Sequence, residues 1–381
     1  MVDDLLAVAP CSIKSVSVNV FINTQIEMKK LEFHTADKNG KSKCHKMHVG
    51  KENMLCPDLK VHGTKMGQVT EDTYLGDIIS HDGSNLKNIK SRVGKGLGII
   101  SQIENILETV SFGCYYFEIA MTLRESLFLN GILTNAEIWY NLKKSEVEEL
   151  EELDRLLLRK IFSTKISCPK EALYLESGAI PIGIIIKSRR INYIHYLVKE
   201  NPSTMLSKFF HAQWNNEVKN DWTTQIRLDL EDFGIPGELD FIKSKSEDSF
   251  KRLVKVKAQE YALSELNSMK KSKMENTSHT KLELQSYLKS NIYPDDAKLI
   301  FAFRTRMANF SENFRGMSGP KLCPLCETHL DNQQMAFKCP EILQKINQIG
   351  KYDNIFRSEI PLEAIENLKT ITKLREEKLP K

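Results

Sequence analysis

No stretch of this 381-residue chain reaches the roughly 18 apolar residues that a membrane-crossing helix needs; the longest candidate is the short run Gly178–Ile186. The amino terminus lacks the basic opening and small-residue cleavage site of a secretory peptide, because MVDDLLAVA sets Asp3 and Asp4 inside an apolar run. The expectation is an intracellular protein of the nucleus or cytoplasm, not secreted and with no membrane partner. An excess of one charge is also missing: 54 Lys and Arg against 50 Asp and Glu leave +4, too weak a field to identify a nucleic-acid binder on its own. Cysteine is sparse. Eight in a chain this long do not form a disulfide scaffold, and Cys11, Cys44, Cys56, Cys114 and Cys168 are scattered, so reduced thiols are expected. His34, His45, His48, His62 and His81 share no HExxH spacing, and the chain has neither a Walker-type lysine loop nor a dinucleotide-binding glycine fingerprint. No Ser/His/Asp order suggests a hydrolase, and no tandem repeat or low-complexity tract appears.

What is present is ordinary globular composition, 41% hydrophobic and 27% charged, with length for two or three domains. Leu5–Ala9 reads as a strand apolar on both faces, the later half of a hairpin whose first strand is expected to lie mostly before Met1. SVSVNVFI, Ser15–Ile22, alternates as a half-buried strand does, though a short helix running on to Leu31 competes. Asn39-Gly40 marks a turn before a basic strand ending at Gly50. LKVHG and YLGDIISHDGS supply two more short strands punctuated by Gly63, Gly76 and Gly83.

After Gly83 the period changes. Leu86, Ile89, Val93, Leu97, Ile100 and Ile103 recur at three and four, the spacing of an amphipathic helix, despite Gly94, Gly96 and Gly98. A second helix is predicted from Tyr116 to about Trp139. A third opens on a capping box at Ser145 and Glu148, buries Val147, Leu150, Leu153, Leu157 and Ile161, and is broken by Cys168-Pro169. Ile182–Val198 is apolar on one side and presents Lys187, Arg189 and Arg190 on the other, with His195 packed or partly exposed between Tyr193 and Tyr196. Asn201–Glu238 is less regular and stops at Gly234-Ile235-Pro236-Gly237. Lys243–Lys289 then carries 11 Lys and Arg against 6 Asp and Glu, the densest basic stretch, which suits either a phosphate backbone or a solvated helix face.

Two clusters carry chemistry. Adjacent acids in a hairpin turn can hold magnesium, with its preference for hard oxygen ligands, against substrate phosphates; they are also common in turns and caps. Near the carboxy terminus, Cys323 and Cys326 have the Cys-x2-Cys spacing that puts two thiolates on one tetrahedral zinc, and Cys339 can close from across a loop. His329, three residues after Cys326, is the candidate fourth ligand, the alternative being that the fourth ligand is absent. The competing reading is a small core of three reduced cysteines beside a surface histidine.

With those residues in view, the chain resembles the carboxy-terminal part of the reverse transcriptases of non-LTR (LINE-type) retrotransposons. MVDDLLAVA resembles the palm hairpin whose acids bind magnesium, KSKCHKMHVG the following palm element with its lysine, and YLGDIISHDGSNLKNIKSRV the Tyr-Leu-Gly segment that leads through the primer grip into the first thumb helix. LRESLFLNGILTNAEIWY, LEELDRLLLRKIF and LIFAFRTRMANFSENFRG resemble the helical region before the family's terminal cysteine motif. The resemblance implies Asp3 and Asp4 as magnesium ligands and Lys43 on the phosphate side of the nucleotide. Apart from the resemblance, Lys187, Arg189, Arg190, Arg304, Arg306 and Arg315 are candidates to contact phosphates of RNA or DNA, the element's transcript and its target, with ordinary surface charges as the competing reading. In the family's cysteine motif a histidine stands where this chain has Gln334.

The fold class expected is therefore α+β: an incomplete right-hand polymerase palm sheet over 1–82, a thumb-like helical region over 83–200 and a partly basic helical region over 201–318. A zinc-knuckle segment over 319–345 and a tail over 346–381 complete it. The palm aspartate of the earlier strand and the fingers have no counterpart in the chain, so RNA-directed DNA synthesis is not expected of this polypeptide alone, while nucleic-acid binding is. The rival readings are a helical protein-interaction or structural module with a small zinc site, and a remnant without selected function.

Overall fold

The computed structural model describes residues 44–50, 58–61, 64–110, 115–216, 221–269, 274, 276–289, 292–314, 322–346, 351–357 and 359–378. The chain is mixed α+β and divides into two compact units, Met1–Arg92 and Val93–Lys381.

In the first unit, three two-stranded sheets are formed among the described residues. β1 (His45–Lys46) pairs in parallel with β4 (Gly67–Gln68), while β2 (Lys60–Val61) and β3 (Thr64–Lys65) are antiparallel. The basic strand expected to close a hairpin from Asn39-Gly40 is thus a parallel partner of a later strand, and that turn lies outside the described residues. β5 (Glu71–Tyr74) and β6 (Asp77–Ser80) form the longest ladder, with Tyr74 opposite Asp77. Their two-residue turn, Leu75-Gly76, has positive φ at both positions, 48° and 84°, the twist that suits a tight hairpin. The Asp77 carboxylate accepts from Arg92 Nη2 at 2.7 Å and Asn88 Nδ2 at 2.9 Å, and Arg92 also donates to the Gly76 carbonyl at 2.9 Å. These bonds tie the hairpin to the opening turns of helix α1 (Leu86–Thr109).

The second unit is helical. α2 (Tyr116–Leu123) runs into a π-helical turn, Arg124–Leu129, and a last α turn, α3 (Asn130–Ile132). The helix predicted to reach Trp139 stops there, because Asn135 turns left-handed at φ 60° and only a 3₁₀ turn, Ala136–Ile138, follows. α4 (Lys144–Ile161) begins one residue before the predicted cap. Its Glu146 carboxylate accepts from the Lys143 backbone N–H at 2.8 Å, so the reach-back comes from Glu146 and not from Glu148. Leu150, Leu153, Leu157 and Ile161 are buried as the period requires, and Val147 is half-buried. The helix ends at Phe162, well before Pro169, which caps α5 (Lys170–Ser177) instead.

α6 (Ile182–Lys199) is the hub of this unit. It packs against α4, the 3₁₀ turn, α7 (Met205–Asn216), α8 (Trp222–Asp232), α9 (Leu239–Ser244) and α10 (Glu247–Ser268). A helix with neighbours on most sides cannot keep a solvated basic face, which explains why Arg190 and His195 lie inside. His195 stacks on Phe250 with centroids 4.9 Å apart and its Nε2 donates to the Lys245 carbonyl at 3.0 Å. α11 (Ser286–Lys289), α12 (Pro294–Arg304), α13 (Gln333–Ala336), α14 (Pro340–Leu343) and α15 (Leu362–Glu376) complete the chain. Phe162 at the end of α4 stacks on Phe301 of α12 at 4.2 Å and meets Phe117 of α2 at 5.4 Å, joining three helices in one apolar cluster.

Gly178 closes α5 in the left-handed region at φ 69°, and a Cβ there would lie 2.2 Å from the Glu283 carbonyl carbon. Only glycine lets residues 283–285 cross the end of α5, where Gln285 N–H bonds the Glu176 carbonyl at 3.2 Å. Along α1, Gly96 does the same for a side chain: its missing Cβ makes room for Leu153 of α4.

Candidate metal centre

Cys323 and Cys326 sit on a tight loop between the bridged residues Leu322 and Leu330. The loop is closed by its own main chain: Cys323 N–H donates to the His329 carbonyl at 2.7 Å and Glu327 N–H to the Cys323 carbonyl at 2.9 Å, with Glu327 left-handed at φ 55°. Asn332 caps α13 through its side-chain oxygen, which accepts from Met335 N–H at 2.7 Å. The chain then turns so that Cys339 immediately precedes α14. The sequence separation is bridged, and the ligand atoms of Cys323, Cys326 and Cys339 all lie within 4.8 Å of one another. Cys323 Sγ and Cys339 Sγ are 3.9 Å apart. Two thiolates on a tetrahedral zinc with bonds of about 2.3 Å are separated by about 3.8 Å, so the spacing suits a metal ion of that size. A three-cysteine cluster able to coordinate a metal ion is therefore present.

The loop is docked on the helical unit. Asp331, one residue past the bridge, pairs with Arg375 of α15 at 2.5 and 3.1 Å and accepts from Ser311 N–H at 2.9 Å. Buried Gln333 donates to the Phe303 carbonyl at 2.7 Å and accepts from Asn313 Nδ2 at 3.0 Å. Arg375 also lies over the Phe310 ring at 4.0 Å.

The thiols differ in environment. Burial opposes ionisation of Cys326, but hydrogen bonds from the Thr328 side chain and from the Thr328 and His329 backbone bring its pKa down to about 6. Burial, reinforced by its bond to Cys326, pushes Cys339 up to about 11. A metal ion bound by these thiols as thiolates would displace the protons they carry.

His329 does not join the group. Its carbonyl closes the loop, while its ring lies outside the set of ligand atoms within 4.8 Å. Gln334 is exposed. Asp3, Asp4, Lys43 and Arg315 lie outside the described residues, so magnesium at Asp3 and Asp4 stays a sequence expectation.

The remaining residues expected to contact nucleic acid are buried or half-buried. Arg190 is buried and bidentate on Asp229 at 2.6 and 3.1 Å, with a third bond to the Trp139 carbonyl at 2.9 Å. Lys187 pairs with Asp232. Arg189 donates to the Leu133 carbonyl at 2.5 Å and Asn130 Oδ1 at 3.2 Å, and burial lowers its pKa. Arg306 is half-buried with a left-handed backbone, φ 53°.

Arg304 belongs to a cluster that motif and spacing did not reveal. It donates Nε and Nη2 to Glu176 at 3.0 and 3.1 Å; His279 Nε2 adds a bond at 3.1 Å and the Tyr287 hydroxyl one at 2.9 Å. Burial alone would raise the Glu176 pKa, but Arg304 and His279 hold it down to about 2. The local signal was a single acid in the otherwise apolar ALYLESGA, which does not name a partner 128 residues away.

No helix among the described residues is long and apolar enough to cross a membrane. No family model, curated protein or solved structure matches the chain.

Proposed function

We propose that the chain is a helical structural or protein-interaction module whose cysteine loop is held by zinc. The observation that carries this is the convergence of three thiols, at the spacing of a tetrahedral thiolate site, on a loop fastened to α15 through Asp331 and Arg375. Cys323, Cys326 and Cys339 would hold the ion, which would supply a cross-link between a loop and the helix start after Cys339. Zinc sites of this kind contribute folding free energy directly. Protein purified in reducing buffer without chelator is expected to carry one equivalent of zinc by elemental analysis, and Cys339→Ser to carry none. Chelation should lower the melting temperature of the parent and leave that of the variant unmoved. Metal-free parent protein that melts the same with and without added zinc overturns the proposal.

A second reading is favoured by the β5–β6 hairpin, which turns at Leu75-Gly76 and leads into α1, the order the resemblance implies for a primer grip entering a thumb. It is supported also by the exposed bases Lys251, Arg252 and Lys255 on α10. On this reading the chain is part of a retroelement RNA-directed DNA polymerase that keeps affinity for RNA and DNA. Binding to an RNA–DNA duplex is then expected at low salt and should weaken steeply as salt rises, with a log–log slope near −0.9 per phosphate neutralised, a value set for B-form DNA. Absence of binding at low ionic strength sinks it.

A further inference from the structure

A tetrahedral ion held by Cys323, Cys326 and Cys339 would have three of its corners filled, and we propose that the fourth corner is an exchangeable position that takes a nitrogen or sulfur donor from outside the chain, an imidazole or a thiolate. This rests on the zinc reading of the cluster.

Among the described residues, the group whose ligand atoms lie within 4.8 Å holds three cysteines and no histidine or carboxylate. His329, three residues beyond Cys326, is the natural candidate by sequence. Its main chain is committed to closing the loop at 2.7 Å from Cys323 N–H, and its ring is not in the group. Gln334 is exposed, and a carboxamide is not among the usual zinc ligands.

The three cysteines also differ in access to solvent. Cys323 is 3% exposed and Cys339 fully buried, whereas Cys326 is half-buried, so a donor reaches the cluster past Cys326. Leu322 and Leu330, which bridge to close the same loop, each expose 51% of their surface. A partner that brings the donor can bury apolar surface there as well.

Chemistry narrows the use of such a position. Structural zinc sites have four protein ligands, and sites with three keep the last for solvent or an incoming group. Three thiolates outweigh the charge of a divalent ion, which weakens its pull on a solvent molecule and makes water activation a poor use of the site. Substitution suits it better: solvent leaves, the donor takes its place, and an incoming thiol gives its proton to the solution. A nitrogen or sulfur donor completes the ligand set that zinc prefers.

Cobalt(II) is the probe, because it occupies tetrahedral thiolate sites and absorbs visible light. Full-length protein in a phosphine reductant is titrated with cobalt(II), then with imidazole or, separately, 2-mercaptoethanol. The expected result is thiolate-to-cobalt charge-transfer absorption that saturates at one equivalent, followed by a saturable shift of the ligand-field bands with either donor. The His329→Ala variant should give the same spectra and the same cobalt affinity. A response to one donor only identifies which of the two the corner accepts and still supports the proposal. Bands that ignore both donors, or a His329→Ala variant whose cobalt affinity falls by about tenfold or more, show that the fourth ligand is internal and overturn it. Absence of charge-transfer absorption in the parent overturns the zinc reading, and the proposal with it.

Discussion

Glu176→Ala is expected to lower the stability of the helical unit by about 3–5 kcal/mol, because it strands a buried guanidinium. Arg304 loses both its carboxylate bonds while remaining 4% exposed. His279 and Tyr287, whose polar atoms end on the same carboxylate, lose an acceptor together. Urea melts at pH 7 measure the loss directly. The pH dependence gives an independent check. The Glu176 pKa is lowered on folding, from 4.5 to about 2, so its contribution is complete above about pH 4.5. It shrinks as pH falls through that range and is gone below about 2. A shift of that size corresponds to about 3 kcal/mol. The stability gap between parent and variant should therefore narrow in acid. A gap under about 1 kcal/mol at pH 7, or one that widens toward pH 3, would show that the cluster is not held by this carboxylate.

Asp154→Ala is expected to be nearly as damaging, again by about 3–5 kcal/mol, and here a double substitution separates the causes. Arg124 Nε and Nη2 bind the two carboxylate oxygens of Asp154 at 2.7 and 2.6 Å, and Nη2 also reaches the Ile180 carbonyl at 3.0 Å. The pair joins the π-helical turn to the middle of α4 with almost no exposure, 2% and 0%. Its attraction is offset by the cost of removing two charges from water, so replacing both partners with apolar residues of similar volume recovers most of the loss. Arg124→Met with Asp154→Leu should return to within about 1–2 kcal/mol of the parent, the remainder being the bond lost at Ile180. A double variant as unstable as Asp154→Ala would mean that the pair contributes more than mutual neutralisation.

These two clusters also show where the sequence was readable. Local period was informative in part: Ile89, Ile100 and Ile103 of α1 are buried at 0–2%, but Leu86 and Leu97 of the same pattern are exposed and Val93 is half-buried, while the spacing of Leu150, Leu153, Leu157 and Ile161 located α4. Local caps and stops were less so. Ser145 has the right chemistry for a cap, but Glu146 reaches back to Lys143 first, and a left-handed Asn135 ended a helix whose hydrophobic pattern continued to Trp139. Basic residues on α6 read as a solvated face because a helix wheel does not record how many neighbours will cover it. Arg190 meets Asp229 only once α8 has packed against α6. The cysteine spacing was legible because the Cys-x2-Cys geometry is local, and Cys339 was found by the loop it closes. His329 stands outside that group: its backbone carbonyl accepts from Cys323 N–H, and its ring is not among the clustered ligand atoms. Asp3, Asp4 and Lys43, expected to belong to a palm, fall outside the described residues.

The 128 positions between Glu176 and Arg304 also set a timetable for a chain that emerges from the ribosome in order. At about 5–20 residues per second, Glu176 is made about 6–26 s before its guanidinium partner. During that interval α5 and α6 can form and begin to pack, but the carboxylate must stay hydrated, so this part of the interior cannot dry. A chain that stalls before Arg304 would leave an open, wet cleft there, accessible to chaperones and proteases.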